Sequence, residues 1–257
     1  MTPKLNEQGC GLRLFIMSIV FSATTAAAQT VCPPNPDWSY RGPRGPRHWV
    51  EQWPTCGGKA QSPINIPSNL RPRRGPAVEF HYQPFDLVVE NTSHGIEVPA
   101  AGGGFILVDG HRYDLEQFHF HTPSEHRLGG RALALEIHLV HRDTKGQQAA
   151  VAIMAVERRA NAALQPVVTA LPIPSCEHRD QHVRFDASTL LPAKREYVTY
   201  GGSLTTPGCD EGLAWVVLSQ SISVSTRQRA KLGPFGPNAR PVQRLNGRAI
   251  VRVRQER

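Results

Sequence analysis

The chain has 257 residues, 40% hydrophobic and 19% charged, with a net charge of +8. That is enough for one large domain with a buried core, and no internal repeat or low-complexity tract appears. The positive charge sits in arginine clusters: Arg41, Arg44 and Arg47, then Arg71, Arg73 and Arg74, then the stretch from Arg240 to Arg257. Neither aromatic-basic interleaving nor a recognition helix accompanies them. This excludes a nucleic-acid partner and leaves a solvated basic surface that attracts anions of the cell envelope.

The N-terminal segment reads as a signal peptide. Lys4 and Arg13 flank an apolar run from Leu14 to Ala28 that ends in Ala26-Ala27-Ala28, a small-residue site with cleavage expected after Ala28. A membrane anchor is the alternative, but the run falls short of the roughly 20 apolar residues a span needs. The reading is a signal peptide over 1–28 and a single domain over 29–257, periplasmic or secreted, with no membrane span. The cysteines agree with export. Cys10 lies in the signal segment, and Cys32, Cys56, Cys176 and Cys209 remain, an even number that suggests disulfides with three possible connectivities. Cys56–Cys209 is the favoured pair and Cys32–Cys176 the remaining one.

Twenty-two Gly and twenty-two Pro break the chain into short elements. Strand-like runs are Ala77–His81, Leu87–Asn91, Ile96–Val98, Phe105–Val108, Leu115–His121, Ala132–Val140, Ala149–Val156 and Ala214–Leu218. Helical periodicity is confined to Ala160–Ala170 and Ser225–Leu232, the latter opening on a cap and closing at Gly233-Pro234. The fold class is therefore mainly β (α+β): a large, mostly antiparallel or mixed sheet with short surface helices.

One stretch carries the chemistry. Successive strand side chains point to opposite faces, so Gln117, His119 and His121 share a face, with Phe118 and Phe120 opposite. After a reversal at Gly129-Gly130, Glu136, His138 and Val140 share a face, with Ile137 and Leu139 opposite. If both polar faces lie on one side of one sheet, three imidazoles converge. Three neutral nitrogen ligands with an open fourth position make a catalytic Zn2+ site. An isolated His-x-His is weak evidence. Here, however, Gln117 and Glu136 each lie two residues before a histidine on the same face, where an acceptor must sit to hold the second ring nitrogen.

The sequence resembles an α-class carbonic anhydrase of the exported bacterial kind over nearly all of the mature chain, from Trp38 to about Arg252. The matching pieces are Gln61-Ser62-Pro63-Ile64-Asn65-Ile66, Gln117–His121, Ser124-Glu125-His126, Glu136–His141, Tyr200–Pro207 and Asn238-Ala239-Arg240-Pro241. Together and in this order they are highly specific. The resemblance implies a large twisted central sheet and Zn2+ held by His119, His121 and His138. It implies attack of zinc-bound hydroxide on carbon dioxide, giving bicarbonate and a proton, with weak esterase activity as a side reaction. It assigns Thr205 as acceptor of the hydroxide's hydrogen bond and Glu125 as acceptor from Thr205. His94 becomes the proton shuttle, and Tyr40 and Thr206 order the proton-carrying waters. Val140, Val151, Leu204 and Trp215 form the apolar wall for carbon dioxide. The protein is expected to be a monomer or homodimer whose partner is that small substrate.

Four positions depart from the pattern: Thr122 stands where many relatives carry Trp, Gly208 replaces a Pro, and Thr92 and Glu97 replace Asn. None removes a ligand, and Glu97 places an acid in the water path. Two rivals remain open. His119-x-His121 followed by Glu125 imitates a cupin-like iron dioxygenase, but the second Gly-rich cupin motif is missing. A non-catalytic binding module on the same fold typically lacks one of the three histidines, and all three stand here.

Overall fold

Alternating burial builds the strands of the computed structural model, which describes Met1 and residues 37–254. The expected signal segment and Cys32 lie outside the described residues. Nine strands form the sheet's main path: β1 Phe85–Asn91, β2 Ile96–Pro99, β3 His111–His121, β4 Leu135–Arg142, β5 Gln148–Glu157, β6 His178–Phe185, β7 Tyr197–Ser203, β8 Glu211–Leu218 and β9 Val251–Val253. Their spatial order is β6-β1-β2-β3-β4-β5-β8-β7-β9. Strands Val78–Tyr82, Gly104–Val108 and Ile222–Val224 complete a 12-stranded sheet. Pairing is antiparallel except where β5 meets β8 and Ile222–Val224. The mostly antiparallel sheet read from the sequence is present.

Every strand run read from the sequence falls on an observed strand. Four strands of this 12-stranded sheet were not foreseen. β6 is polar and exposed along most of its length because it is an edge strand. β7 carries a Gly-Gly pair, and Ile222–Val224 and β9 have only three residues each. The helices are short: α1 Trp49–Gln52, α2 Gln165–Ala170 and α3 Thr226–Leu232. The expected Ala160–Ala170 helix is split into a 3-10 turn at Ala162–Leu164, capped by the Asn161 side chain, and α2, which has Pro near its start. Ser225 caps α3 with a full capping box through Gln228, as its sequence suggests. Gly129 and Gly130 do form a left-handed turn, but it folds Leu128 onto Arg131 rather than joining β3 directly to β4.

The sheet has two buried faces. One packs Phe118, Phe120, Ile137, Leu139, Val151 and Ile153 into the main core beneath α2 and its preceding turn. The other carries a smaller core of Ile64, Ala150, Ala152, Met154, Tyr200 and Trp215. β4 is buried from Leu135 to His141. A histidine or glutamate on it must therefore find a partner inside the protein. A third cluster joins Trp49, Cys56 and Cys209, with Trp38, Tyr40 and Trp53 packed against it. The Cys56–Cys209 disulfide is formed. Cys176 is also disulfide-bonded.

Candidate metal centre

The register of β3 on β4 decides the site. His119 lies directly across from His138, and His121 across from Glu136, with Gln117 opposite Val140. All three histidines thus leave the sheet on one side, at its centre. Their ring centroids are 4.9, 5.2 and 4.5 Å apart, and the ligand atoms they offer all lie within 4.8 Å of one another. His121 and His138 are buried, while His119 opens to a cavity of about 580 Å3.

Each ring is held by one nitrogen and leaves the other free. His119 Nδ1 bonds Gln117 Oε1 at 2.8 Å, and His138 Nε2 bonds Glu136 Oε1 at 2.8 Å, as the two-residue spacing predicts. His121 Nδ1 donates to the Asn238 carbonyl at 2.7 Å, a holder that was not foreseen. Asn238 is itself fixed, accepting from the Thr122 N–H and donating to the Phe120 carbonyl. His119 Nε2, His121 Nε2 and His138 Nδ1 are left for a ligand, and His121 Nε2 is buried with no partner. An unpaired buried nitrogen is costly, so these residues fit a divalent ion. Burial and the neighbouring imidazoles hold the His119 pKa well below the ordinary range, and burial lowers that of His138. Both rings are thereby kept in the neutral form that ligation requires.

Glu136 anchors a second layer. Burial alone would raise its pKa, but the charges and hydrogen bonds of His126 and His138 outweigh that and hold it below the usual carboxylate range. Its carboxylate bonds His126 Nδ1 at 2.6 Å and the His126 N–H at 2.8 Å. His126 Nε2 continues to Tyr200 Oη at 2.7 Å, and that hydroxyl to Ser62 Oγ at 2.9 Å. His126, Glu136 and His138 also lie close enough to hold an ion, but their facing atoms already bond one another.

The sequence profile described as eukaryotic-type carbonic anhydrase matches residues 44–254. The chain belongs to that family. It is 35% identical to a carbonic anhydrase of Neisseria gonorrhoeae, over 92% of this chain and 96% of that one. It is 36% identical to one of Klebsiella pneumoniae, over 83% and 90% respectively. The solved α-carbonic anhydrase of Thermovibrio ammonificans, in complex with the inhibitor sulfanilamide, superposes with a TM-score of 0.80 at 37% identity, covering 85% of this chain and 100% of that chain. Dioscorin complexed with ascorbate superposes at 0.78 with 29% identity, covering 86% of this chain and 99% of that one. Family membership makes the chain an enzyme whose reaction, in general terms, is carbon dioxide hydration.

Tyr40, His94, Val140, Leu204, Thr205, Thr206 and Trp215 line the carbonic anhydrase cavity, as expected from the sequence. Val151 does not. It pairs with Leu139 and packs in the core on the other face of the sheet, and Ala150, which pairs with Val140 and Trp215, takes the wall position. A one-residue slip along a strand moves a side chain to the opposite face. The expected Thr205–Glu125 hydrogen bond is also not formed. Glu125 Oε1 accepts from the Arg240 N–H at 2.7 Å, and Oε2 is buried without a partner, 4.0 Å from His138 Nδ1. Arg240 in turn bonds Gln61 Oε1 and the carbonyls of Ser62 and Cys56, so the Gln61-Ser62-Pro63 and Asn238-Ala239-Arg240 motifs meet beneath the site.

The departures have local accounts. Gly208 has a φ of +97°, which Pro cannot adopt. Thr122 Oγ1 packs so close to Gly233 that a Cβ there would lie 2.0 Å away. Thr92 Oγ1 donates to the Gly95 carbonyl and braces the turn that carries His94. Glu97 pairs with His119 and lines the cavity, where burial and nearby Glu90 push its carboxyl from 4.5 up to about 7. The folded metal-free protein therefore keeps a proton there that the unfolded chain sheds above about pH 4.5. The contribution of this group to stability falls as pH rises from about 4.5 to 7 and is constant on either side. Urea denaturation of the metal-free Glu97→Gln variant is expected to show no gain over wild type at pH 4 and up to about 3 kcal/mol at pH 8.

Proposed function

We propose that the protein is an exported, zinc-dependent enzyme that interconverts carbon dioxide and bicarbonate, with His94 relaying the proton. The observation that carries this reading is the trio of ring nitrogens aimed at one point, each ring held from behind and one of the three nitrogens buried without any other partner. His119, His121 and His138 would hold a zinc ion, which would supply a nucleophile at neutral pH by bringing the pKa of water to about 7, a value established for carbonic anhydrases rather than obtained from this geometry.

The chain's own residues do the rest. Gln117, Asn238 and Glu136 fix the tautomer and tilt of the three rings, leaving one nitrogen of each for the ion. Val140, Ala150, Leu204 and Trp215 give an apolar wall against which carbon dioxide rests without competing hydrogen bonds. The Glu125 Oε2 lone pairs face inward with no donor, and the Thr205 hydroxyl can donate to one acceptor while accepting from another group. Rotation of that hydroxyl toward Glu125 would let Thr205 accept in a fixed direction at the reaction centre. Tyr40 stays protonated because burial, reinforced by Glu125, raises its pKa well above the ordinary value. It therefore offers a hydroxyl to water rather than a charge.

Hydration releases a proton that must leave the cavity. His94 lines the cavity wall, stacked on Trp38 at 3.8 Å between ring centroids, with Nε2 at 3.2 Å from the Trp38 carbonyl. An imidazole at the cavity wall can accept a proton on one ring nitrogen and pass it on, which suits relay to buffer. His94→Ala is expected to slow turnover about 10²-fold in weak buffer, with recovery on adding imidazole. Equal rates without rescue would assign the relay elsewhere. The same nucleophile would give weak esterase activity as a side reaction. Export fits the Cys56–Cys209 disulfide and the N-terminal signal pattern, and no described helix is long and apolar enough to cross a membrane. Stopped-flow carbon dioxide hydration with and without a zinc chelator tests the whole reading: turnover unaffected by complete zinc removal would overturn it.

A further inference from the structure

His94 faces two cavities. The inner one holds the histidine trio and contains Glu97 and Glu116. The outer one, about 370 Å3, is lined by Arg41 and Arg44 together with Trp38, Ser93, His94 and Phe235, and no described carboxylate borders it. Trp38, Tyr40, His94 and Asn238 belong to both. The imidazole is thus part of the partition between a reaction cavity and a cationic vestibule.

The vestibule is built, not incidental. The Ser39 N–H and Trp49 Nε1–H both donate to the Arg44 carbonyl, at 2.8 and 3.0 Å, and Trp49 Nε1 also reaches the Ser39 carbonyl at 3.2 Å. The Ser39 hydroxyl bonds the Arg41 carbonyl at 2.5 Å. Trp49 is fully buried, so the loop that bears both arginines is pinned to a rigid aromatic cluster. The Arg41 guanidinium lies against Gly236 on the opposite rim, so close that a Cβ there would sit 2.6 Å from it. Arg41 makes no ion pair among the described residues. Arg41 and Arg44, lining one concavity with an imidazole and no described carboxylate, match the charge and donor pattern of a small oxyanion.

Resting on the proposed role of His94, we propose that Arg41 and Arg44 form a docking site for a diffusible oxyanion buffer, of which hydrogen phosphate is the probe, that takes the proton from His94. The step balances simply. The N–H bond of the imidazolium breaks, an O–H bond forms on hydrogen phosphate, and neutral imidazole and dihydrogen phosphate separate. The arginines raise the local concentration of the acceptor and orient its oxygens toward the ring. A cationic or neutral acceptor such as imidazole gains nothing from them.

The test compares wild type with Arg41→Ala/Arg44→Ala in the zinc-loaded enzyme, at fixed pH and ionic strength, with phosphate or imidazole as sole buffer. The double variant is expected to need about tenfold more phosphate for half-maximal turnover, with the imidazole dependence within twofold and kcat/KM for carbon dioxide unchanged. Sulfate, which accepts no proton at neutral pH, should suppress the phosphate-dependent rate in wild type more than the imidazole-dependent one. An independent readout needs no turnover. The His94 ring NMR signals of the metal-free protein should shift saturably on phosphate addition in wild type and not in the double variant. Equal phosphate dependence in both proteins, or a phosphate titration that leaves His94 unmoved, overturns the proposal. Phosphate binding with a His94→Ala rate equal to wild type would instead remove His94 as relay, and the docking site as proton acceptor with it.

Discussion

Replacing His119 by alanine is expected to reduce carbon dioxide hydration by about 10³-fold or more and to bring bound zinc from one equivalent to near zero. Loss of a group that merely orients a ligand typically costs about 10- to 100-fold in metal affinity, and loss of a ligand itself costs more. His119 opens to the cavity and sits directly across from His138. Its truncation leaves the other two rings held by Asn238 and Glu136 but gives them nothing to close against. Its ring is not part of either apolar core, so the far-UV circular dichroism and melting temperature of the metal-free protein should match those of wild type. Metal analysis, stopped-flow rates and melting curves together separate lost ligation from lost folding. Unchanged turnover in a folded His119→Ala protein would refute the ligand assignment. A Glu136→Gln variant gives the graded comparison. It keeps all three ligands but weakens the hold on His138 and breaks the chain through His126 to Tyr200, so a loss of about 10- to 100-fold in metal affinity is expected.

The converging histidine trio was legible because it obeys a local rule. Alternation along a strand places His119 and His121 together, and Gln117 and Glu136 announce themselves two residues upstream. Nothing local could reveal Asn238. Its contribution to His121 is a backbone carbonyl delivered from 117 residues away, and a carbonyl has no side-chain signature. Arg240 is a different miss, since buried arginines are rare enough that only the contacts with Gln61, Ser62 and Cys56 explain it. The misassignment of Val151 has a physical cause too. Ala149, Ala150, Val151 and Ala152 are all buried because β5 is covered on both faces, so the apolar pattern has no phase from which to tell the wall from the core. Only the pairing of Ala150 with Val140 and Trp215 sets it. Among whole elements, exposed β6 gave no alternation to read, whereas α3 was readable from its periodicity, its cap and its Gly233-Pro234 stop.

Removing the Cys56–Cys209 disulfide, by reduction or by the Cys56→Ser/Cys209→Ser double variant, is expected to lower stability by about 5 kcal/mol, because the bridge closes a loop spanning 153 residues of sequence. For a domain of this size that corresponds to a fall of roughly 10–20 °C in melting temperature. The bridge also ties together parts that serve the site. Cys209 ends the turn that carries Thr205 and Thr206, and its carbonyl accepts from Gln61 Nε2 at 3.0 Å. The Cys56 carbonyl accepts from Arg240, whose own N–H holds Glu125. The sulfurs lie in the aromatic cluster with Trp49, against which Trp38, the stacking partner of His94, is packed. Amide hydrogen exchange in the double variant should therefore quicken first over residues 204–211 and around Trp38, ahead of β3 and β4, whose pairing does not depend on the bridge. Zinc content should remain at one equivalent below the lowered melting temperature, while turnover in the folded protein falls as Thr205 loses its fixed position. A melting temperature within about 3 °C of wild type would show that the Gln61, Arg240 and Trp49 contacts hold this corner without the bridge.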